Sequence, residues 1–308
     1  MIKGLGTALI TPFKADSVDY EALACLLDTQ LTGFVDYIVV LGTTGEAATL
    51  TADEKKEVRQ FIVNYVHTHP VPFLEGRPGG VIPLVLGVGG NNTAAVCAEL
   101  SAMRDELSEN YAAILSVCPY YNKPNQEGLY QHFCAVAEAS PIPVILYNVP
   151  GRTGVNLLPE TVMRIYNARP DKIIGIKEAS SNLDQIKRLI ALSQESRVKS
   201  QEPLLVISGD DGIACEVMEA GGAGLISVAS NAFPEDFWHI VHDKDRALQA
   251  KYAEMVRLLF AEGNPVGIKA VLAQKGIIQN YLRLPLVPAS KELQNKITQE
   301  LAYIKKKQ

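Results

Sequence analysis

The residues that could do chemistry are few, and each stands at the end of an apolar run. In "KIIGIKEAS" (172–180), Ile173, Ile174 and Ile176 read as a buried strand, and Lys177 stands where that run stops. Strand alternation puts Ile173, Gly175 and Lys177 on one face, with Gly175 leaving room below the lysine. A lysine against apolar walls is disfavoured in its charged form, and a neutral amine attacks carbonyl carbon. The bland alternative is an ion pair with Glu178 or Asp210. Tyr147 ends the preceding apolar run, and its alternation with Ile145 points it to the same side, where a phenol can shuttle protons. In "GTTGE", Gly42 and Gly45 suggest a tight turn with exposed N–H groups, and Thr43 and Thr44 add hydroxyls, a set able to hold a small carboxylate. Arg152, in "VPGRTG", can grip a carboxylate through two parallel hydrogen bonds. No cluster of His or carboxylates resembles a metal site. The set suits imine and enamine chemistry on a small oxo-acid, with carbon–carbon bonding and no cofactor.

These residues need a scaffold that gathers strand ends. Eight β-rich runs recur: "GLGTALI", "YIVVLG", "IPLVLGV", "AAILSV", "IPVILYN", "KIIGIK", "LLVISG" and "AGLISVA". Most are continuously apolar, as strands covered on both faces are. Helical spacing lies between them, as in "DYEALACLLDTQL" and "NLDQIKRLIALS", and Thr51 with Glu54 forms a capping-box pair. The pattern predicts a (β/α)8 TIM barrel, an α/β fold of roughly 250 residues whose chemistry gathers at the strands' C-terminal ends. Barrel residues run over 1–234. The last barrel helix and a C-terminal helical extension occupy 235–308, where Asn264 and Pro265 read as a cap and first-turn pair. A doubly wound open sheet is the alternative, but "GTTGEAATL" is not its GxGxxG turn. The Pro/Gly-rich loop 70–83 is expected on the face away from the site.

Composition sets outer limits. The chain has 308 residues, 47% hydrophobic and 20% charged, with net charge −5 and pI about 5.6. That balance offers no general attraction for nucleic acid or an anionic membrane. No apolar run approaches the roughly 20 residues of a membrane span, and "MIKGLGTALITPF" turns polar too soon for a signal peptide. Five scattered cysteines without a CxxC pair read as reduced, mostly buried thiols of a cytosolic protein.

The succession "GLGTALITPF", "GTTGEAATLT", "PYYNKPNQEGLYQHF", "ILYNVPGRTGVNLLPET", "IIGIKEAS", "ISGDD" and "GLISVASN" resembles the pyruvate-dependent class I aldolase superfamily over most of the chain. The resemblance implies a lyase in which Lys177 forms a Schiff base with pyruvate and Tyr147 gives and takes protons. It implies a relay of Thr43, Tyr147 and Tyr121, the last crossing from a neighbouring subunit of a dimer, usually paired into a tetramer. Thr44 and the backbone of Ile226 would hold the pyruvate part, Arg152 would meet aspartate semialdehyde, and Gly209 would lie near the site. The branch with "GTTGE" and "NVPGRTG" makes 4-hydroxy-tetrahydrodipicolinate for lysine and diaminopimelate. N-acetylneuraminate lyase and the keto-deoxy-sugar acid aldolases share Lys177 and Tyr147, so Arg152 discriminates, because a second carboxylate benefits from a fixed cation. Asn91 and Tyr120 match a lysine feedback site of the family. Ala52, Lys55 and Ala95 depart from its usual His, His and Glu, which implies weak or absent inhibition. A barrel kept only for binding is a further alternative, though packing alone does not demand Lys177, Tyr147 and Thr43 together, and a phosphate-handling barrel is another, though "SGDDG" sets two acids where phosphate would be repelled.

Overall fold

The computed structural model describes residues 2–73, 79–195 and 202–306. All eight expected strands form: β1 (Gly4–Ala8), β2 (Tyr37–Val40), β3 (Leu84–Gly87), β4 (Ala113–Val117), β5 (Val144–Asn148), β6 (Ile173–Glu178), β7 (Leu205–Ser208) and β8 (Gly224–Ser227). They close into one parallel barrel in chain order, with β8 beside β1. A two-residue antiparallel ribbon, Phe13–Lys14 with Ser17–Val18, follows β1. The barrel strands are nearly all buried, as their unbroken apolar runs require.

The chain forms two compact units. Pro83–Ile226 holds β3 to β7 and β8 as far as Ile226, with α3 (Thr93–Ala102), α4 (Arg104–Asn110), α5 (Gln126–Ala139), α6 (Pro150–Thr153), α7 (Pro159–Ala168), α8 (Leu183–Glu195) and α9 (Ala214–Glu219) between them. One irregularity matters for the site. Val144 pairs with Ile173 but Ile145 pairs with Gly175, so the register slips by one residue at Ile174. Strict alternation therefore holds from Gly175 to Lys177 and not back to Ile173. Gly175 also serves a different purpose from the one its position suggested: a Cβ there would lie 2.8 Å from the Leu205 carbonyl oxygen, so the glycine admits the neighbouring strand.

Gly4–Ile82 with Ser227–Gln308 forms the second unit. It carries β1, β2, α1 (Tyr20–Gln30), α2 (Ala52–Thr68) and the C-terminal helices α10 (Pro234–His242), α11 (Arg246–Phe260), α12 (Val266–Gln274) and α13 (Lys291–Lys306). The Thr51–Glu54 capping box forms as its spacing predicts. The long helical run after Pro234 breaks at Lys244, whose φ is 55°, and Asp245 caps α11 by accepting from Leu248 N–H. Asn264 does not cap a helix. Pro265 occupies the cap position of α12, and the Asn264 side chain turns instead to Thr44. Of the loop 70–83, residues 74–78 lie outside the described residues. Elsewhere in it Val71 and Gly80 exchange backbone hydrogen bonds.

The cysteines differ from expectation in burial. Cys118 and Cys215 alone are buried, Cys97 and Cys134 are half-buried, and Cys25 is exposed. No helix among the described residues is long and apolar enough to cross a membrane.

Candidate active site

Lys177 and Tyr147 are brought together by register. The two residues are direct partners across β5 and β6. Both are buried, Lys177 at 6% exposure and Tyr147 at 7%, and the lysine Nζ lies 4.5 Å from the centroid of the tyrosine ring. The carboxylates that could have neutralised the lysine are engaged elsewhere. Glu178, fully buried, accepts from the Asn148 amide at 3.0 Å, the Gln185 amide at 3.0 Å and Ser180 N–H at 2.8 Å. Asp210 accepts from the Ser181 hydroxyl at 2.6 Å and from Gly212 N–H at 2.9 Å. Among the described residues no carboxylate pairs with Lys177, and the Tyr147 hydroxyl has no hydrogen-bond partner. A buried lysine without an ion pair is rare unless chemistry requires it.

Gly209 closes over the lysine. A Cβ at that position would stand 2.9 Å from Lys177 Cε and 2.6 Å from Ala179 Cβ, and Gly209 N–H is held by the Glu178 carbonyl at 2.8 Å. Ile226 is buried within β8. Cys118, just past β4, offers no rival nucleophile, because burial and then the nearby Glu178 push its thiol well above the ordinary range.

Arg152 is exposed on α6. Asn148 staples both ends of the segment that carries it. Its amide donates to Asn156 Oδ1 at 2.7 Å, and its carbonyl accepts from Leu157 N–H at 2.9 Å. Gln185 and Asn156 complete this polar cluster around Glu178. The cluster fixes the loop through neutral donors, and sequence reasoning missed it, because Asn and Gln in helices and loops carry no distinctive spacing.

Thr43, Thr44 and Gly45 form a single 3-10 turn. The glycines are not its left-handed residues. Leu41 and Glu46 have φ of 54° and 50°, whereas Gly42 has φ −75°. Gly45 is needed for closeness, since a Cβ would lie 3.1 Å from the Leu9 carbonyl oxygen. Thr43 is exposed and Thr44 is buried. The turn is anchored from several sides. The Thr11 hydroxyl donates to the Gly45 carbonyl, the Asn264 amide donates to Thr44 Oγ1, and Glu46 pairs with Lys269. Both members of that pair are buried, and burial lowers the Lys269 pKa to about 8 although Glu46 opposes the shift. Lys269 also lies over the Phe13 ring at 4.2 Å.

Tyr121 has φ 74° and is 89% exposed, and Tyr120 beside it is 43% exposed. The Asn91 amide donates to the Tyr120 carbonyl at 3.1 Å. Among the described residues no group of three His, Cys, Asp or Glu could hold a metal ion.

A barrel of this kind, with an unpaired lysine at the end of its sixth strand and a tyrosine facing it, is the architecture of a Schiff-base aldolase. The chain belongs to the Dihydrodipicolinate synthetase family, whose sequence model matches residues 1–304. It is 48% identical over 296 residues to the 4-hydroxy-tetrahydrodipicolinate synthase of Parabacteroides distasonis, covering 93% of this chain and 92% of that one. Its fold is similar to the crystal structure of dihydrodipicolinate synthase from Thermotoga maritima, with TM-score 0.88, 37% identity and 99% of each chain covered. It is also similar to the chloride-inhibited dihydrodipicolinate synthase from Acinetobacter baumannii complexed with pyruvate, with TM-score 0.87, 35% identity and 99% of each chain covered.

Proposed function

We propose that this enzyme condenses pyruvate with aspartate semialdehyde to give 4-hydroxy-tetrahydrodipicolinate, in the synthesis of lysine and diaminopimelate. Lys177 Nζ attacks the keto carbon and water leaves, giving an imine. Loss of a methyl proton gives the enamine, whose carbon attacks the aldehyde. The amine of the second substrate then displaces Lys177 and closes the ring, so the enzyme is returned unchanged and no redox partner is needed. Tyr147 carries the protons of these steps, with Thr43 and Tyr121 as its relay. Thr44 and the Ile226 backbone hold the pyruvate carboxylate, Gly209 shapes the wall beside the imine, and Arg152 receives the carboxylate of the aldehyde substrate. The observation that carries this reading is the buried Lys177, paired in register with Tyr147 and with no carboxylate pairing with it among the described residues. The names of the relatives favour the same reaction over cleavage of a sugar acid.

The test is to incubate the protein with pyruvate and borohydride and to map the adduct. A reduced adduct at Lys177 is expected; an adduct at another lysine would falsify the assignment. Aspartate semialdehyde should then be consumed, and N-acetylmannosamine should not.

The exposure of Tyr121 supports its entry into a neighbouring subunit's site, which makes a homodimer, paired into a tetramer, the working form in the cytoplasm. Sedimentation showing an active monomer would overturn this. Lysine inhibits weakly or not at all in this reading. Ala52 and Ala95 are exposed small side chains, and Ala52, Lys55 and Ala95 stand where the family's feedback site usually has His, His and Glu, so an acidic partner for the effector's ammonium is replaced and a cation is added. Strong inhibition at sub-millimolar lysine would contradict it.

A further inference from the structure

We infer that Asn264 is a positioning residue for pyruvate, acting by fixing which way the Thr44 hydroxyl donates. The inference rests on the reading of Thr44 as a holder of the pyruvate carboxylate, and it adds the group that makes Thr44 a donor there.

Asn264 Nδ2 lies 2.9 Å from Thr44 Oγ1, across 220 residues of sequence, and both residues are buried. A side-chain amide nitrogen can only donate. Thr44 Oγ1 is therefore the acceptor in this bond, and its single proton is not spent on Asn264. No other partner of the Thr44 hydroxyl exists among the described residues. Its O–H is left to donate to something that only accepts, which is the chemistry of a carboxylate. An oxygen that already accepts a hydrogen bond is also a stronger donor.

The anchor is not isolated. Five residues further on, Lys269 on α12 pairs with Glu46 two residues beyond Thr44, and both side chains of that pair are buried. Arg283 N–H donates to the second Glu46 oxygen at 3.2 Å. One stretch of the C-terminal region thus holds the Thr43–Gly45 turn at its middle and at its exit, the first contact setting proton direction and the second setting place.

The experiment measures half-saturation by pyruvate in borohydride trapping, with no aldehyde present, for wild type, Thr44→Val, Asn264→Leu, Asn264→Asp and the double variant Thr44→Val/Asn264→Leu. Thr44→Val should raise half-saturation about tenfold, the loss of one hydrogen bond to a charged group. Asn264→Leu should raise it by a similar factor. Asn264→Asp, which keeps the shape but draws the Thr44 proton to itself, should raise it at least as much, and it carries the test if Asn264→Leu does not fold. The double variant should be no more than about twofold worse than Thr44→Val, because the two changes remove one interaction. The KM for aspartate semialdehyde should stay within about twofold in Asn264→Leu. If Thr44→Val is harmful and Asn264→Leu is neutral, or if their effects multiply, the inference is wrong while the reading of Thr44 survives. If Thr44→Val leaves pyruvate half-saturation unchanged, both fall.

Discussion

Lys177 Nζ lies 4.5 Å from the centre of the Tyr147 ring, and the two residues are register partners on adjacent strands. The ring face lies against the lysine Nζ with no counter-ion among the described residues, and Tyr147 is the proton carrier of the proposed reaction. Tyr147→Phe keeps the ring and removes the proposed proton carrier. Turnover should fall by about a hundredfold or more, the usual worth of a positioned acid–base group, while thermal stability changes little. A turnover measurement within threefold of wild type would end the proton-carrier assignment.

Gly209 has no room for a methyl group. A Cβ would stand 2.9 Å from Lys177 Cε and 2.6 Å from Ala179 Cβ, and the backbone is fixed by the bond from Gly209 N–H to the Glu178 carbonyl. Gly209→Ala must displace the lysine stem. Overpacking of this size costs about 1–3 kcal/mol, but a misplacement of about 1 Å at a reacting group costs on the order of a hundredfold in rate. The variant should remain folded by circular dichroism and lose at least tenfold in borohydride trapping rate.

Arg152 acts on the second substrate only in the proposed reaction. Arg152→Lys retains the charge and loses the two-pronged grip. KM for aspartate semialdehyde should rise roughly tenfold, and pyruvate-dependent trapping should be unchanged. A rise in pyruvate half-saturation instead would move Arg152 to the first substrate.

His132 predicts an acid weakness. It is 4% exposed, its Nδ1 lies 2.9 Å from the Thr93 hydroxyl, and burial lowers its pKa from 6.5 to about 4. The unfolded chain therefore binds a proton at His132 between pH 6.5 and 4 that the folded chain refuses. Stability from this group is full above pH 6.5 and is lost as pH falls toward 4, by at most about 3 kcal/mol. His132→Asn should flatten the dependence of unfolding free energy on pH in that window by up to one proton. An unaltered slope in denaturant titrations at pH 4.5 and 6.5 would remove His132 as the cause.

What the sequence revealed and what it hid divide along one physical line. Lys177 and Tyr147 could be read because strand alternation and the neighbouring of consecutive strands are local rules that carry over into the barrel. The Thr51–Glu54 box could be read because both partners lie within one turn of helix. Asn264 could not, because its partner is 220 residues away and the Asn–Pro pair has a plausible local meaning as a helix start. Lys269 was likewise hidden, as a charge inside "VGIKAVLA" gives no hint that its carboxylate belongs to the turn after β2. The glycines of "GTTGE" misled in detail. Backbone permissiveness was expected of them, yet Leu41 and Glu46 take the left-handed conformations, and long-range anchors such as the Glu46–Lys269 pair are available to offset that strain.

The anchoring of the Thr43–Gly45 turn by Asn264, Lys269 and Arg283 has a consequence for biosynthesis of the chain itself. Translation delivers Lys177 well before those anchors leave the ribosome. In the proposed reaction a prematurely terminated product would therefore carry the nucleophile without a fastened carboxylate cradle, and competence to capture a keto acid would arrive only when the final helices have been made.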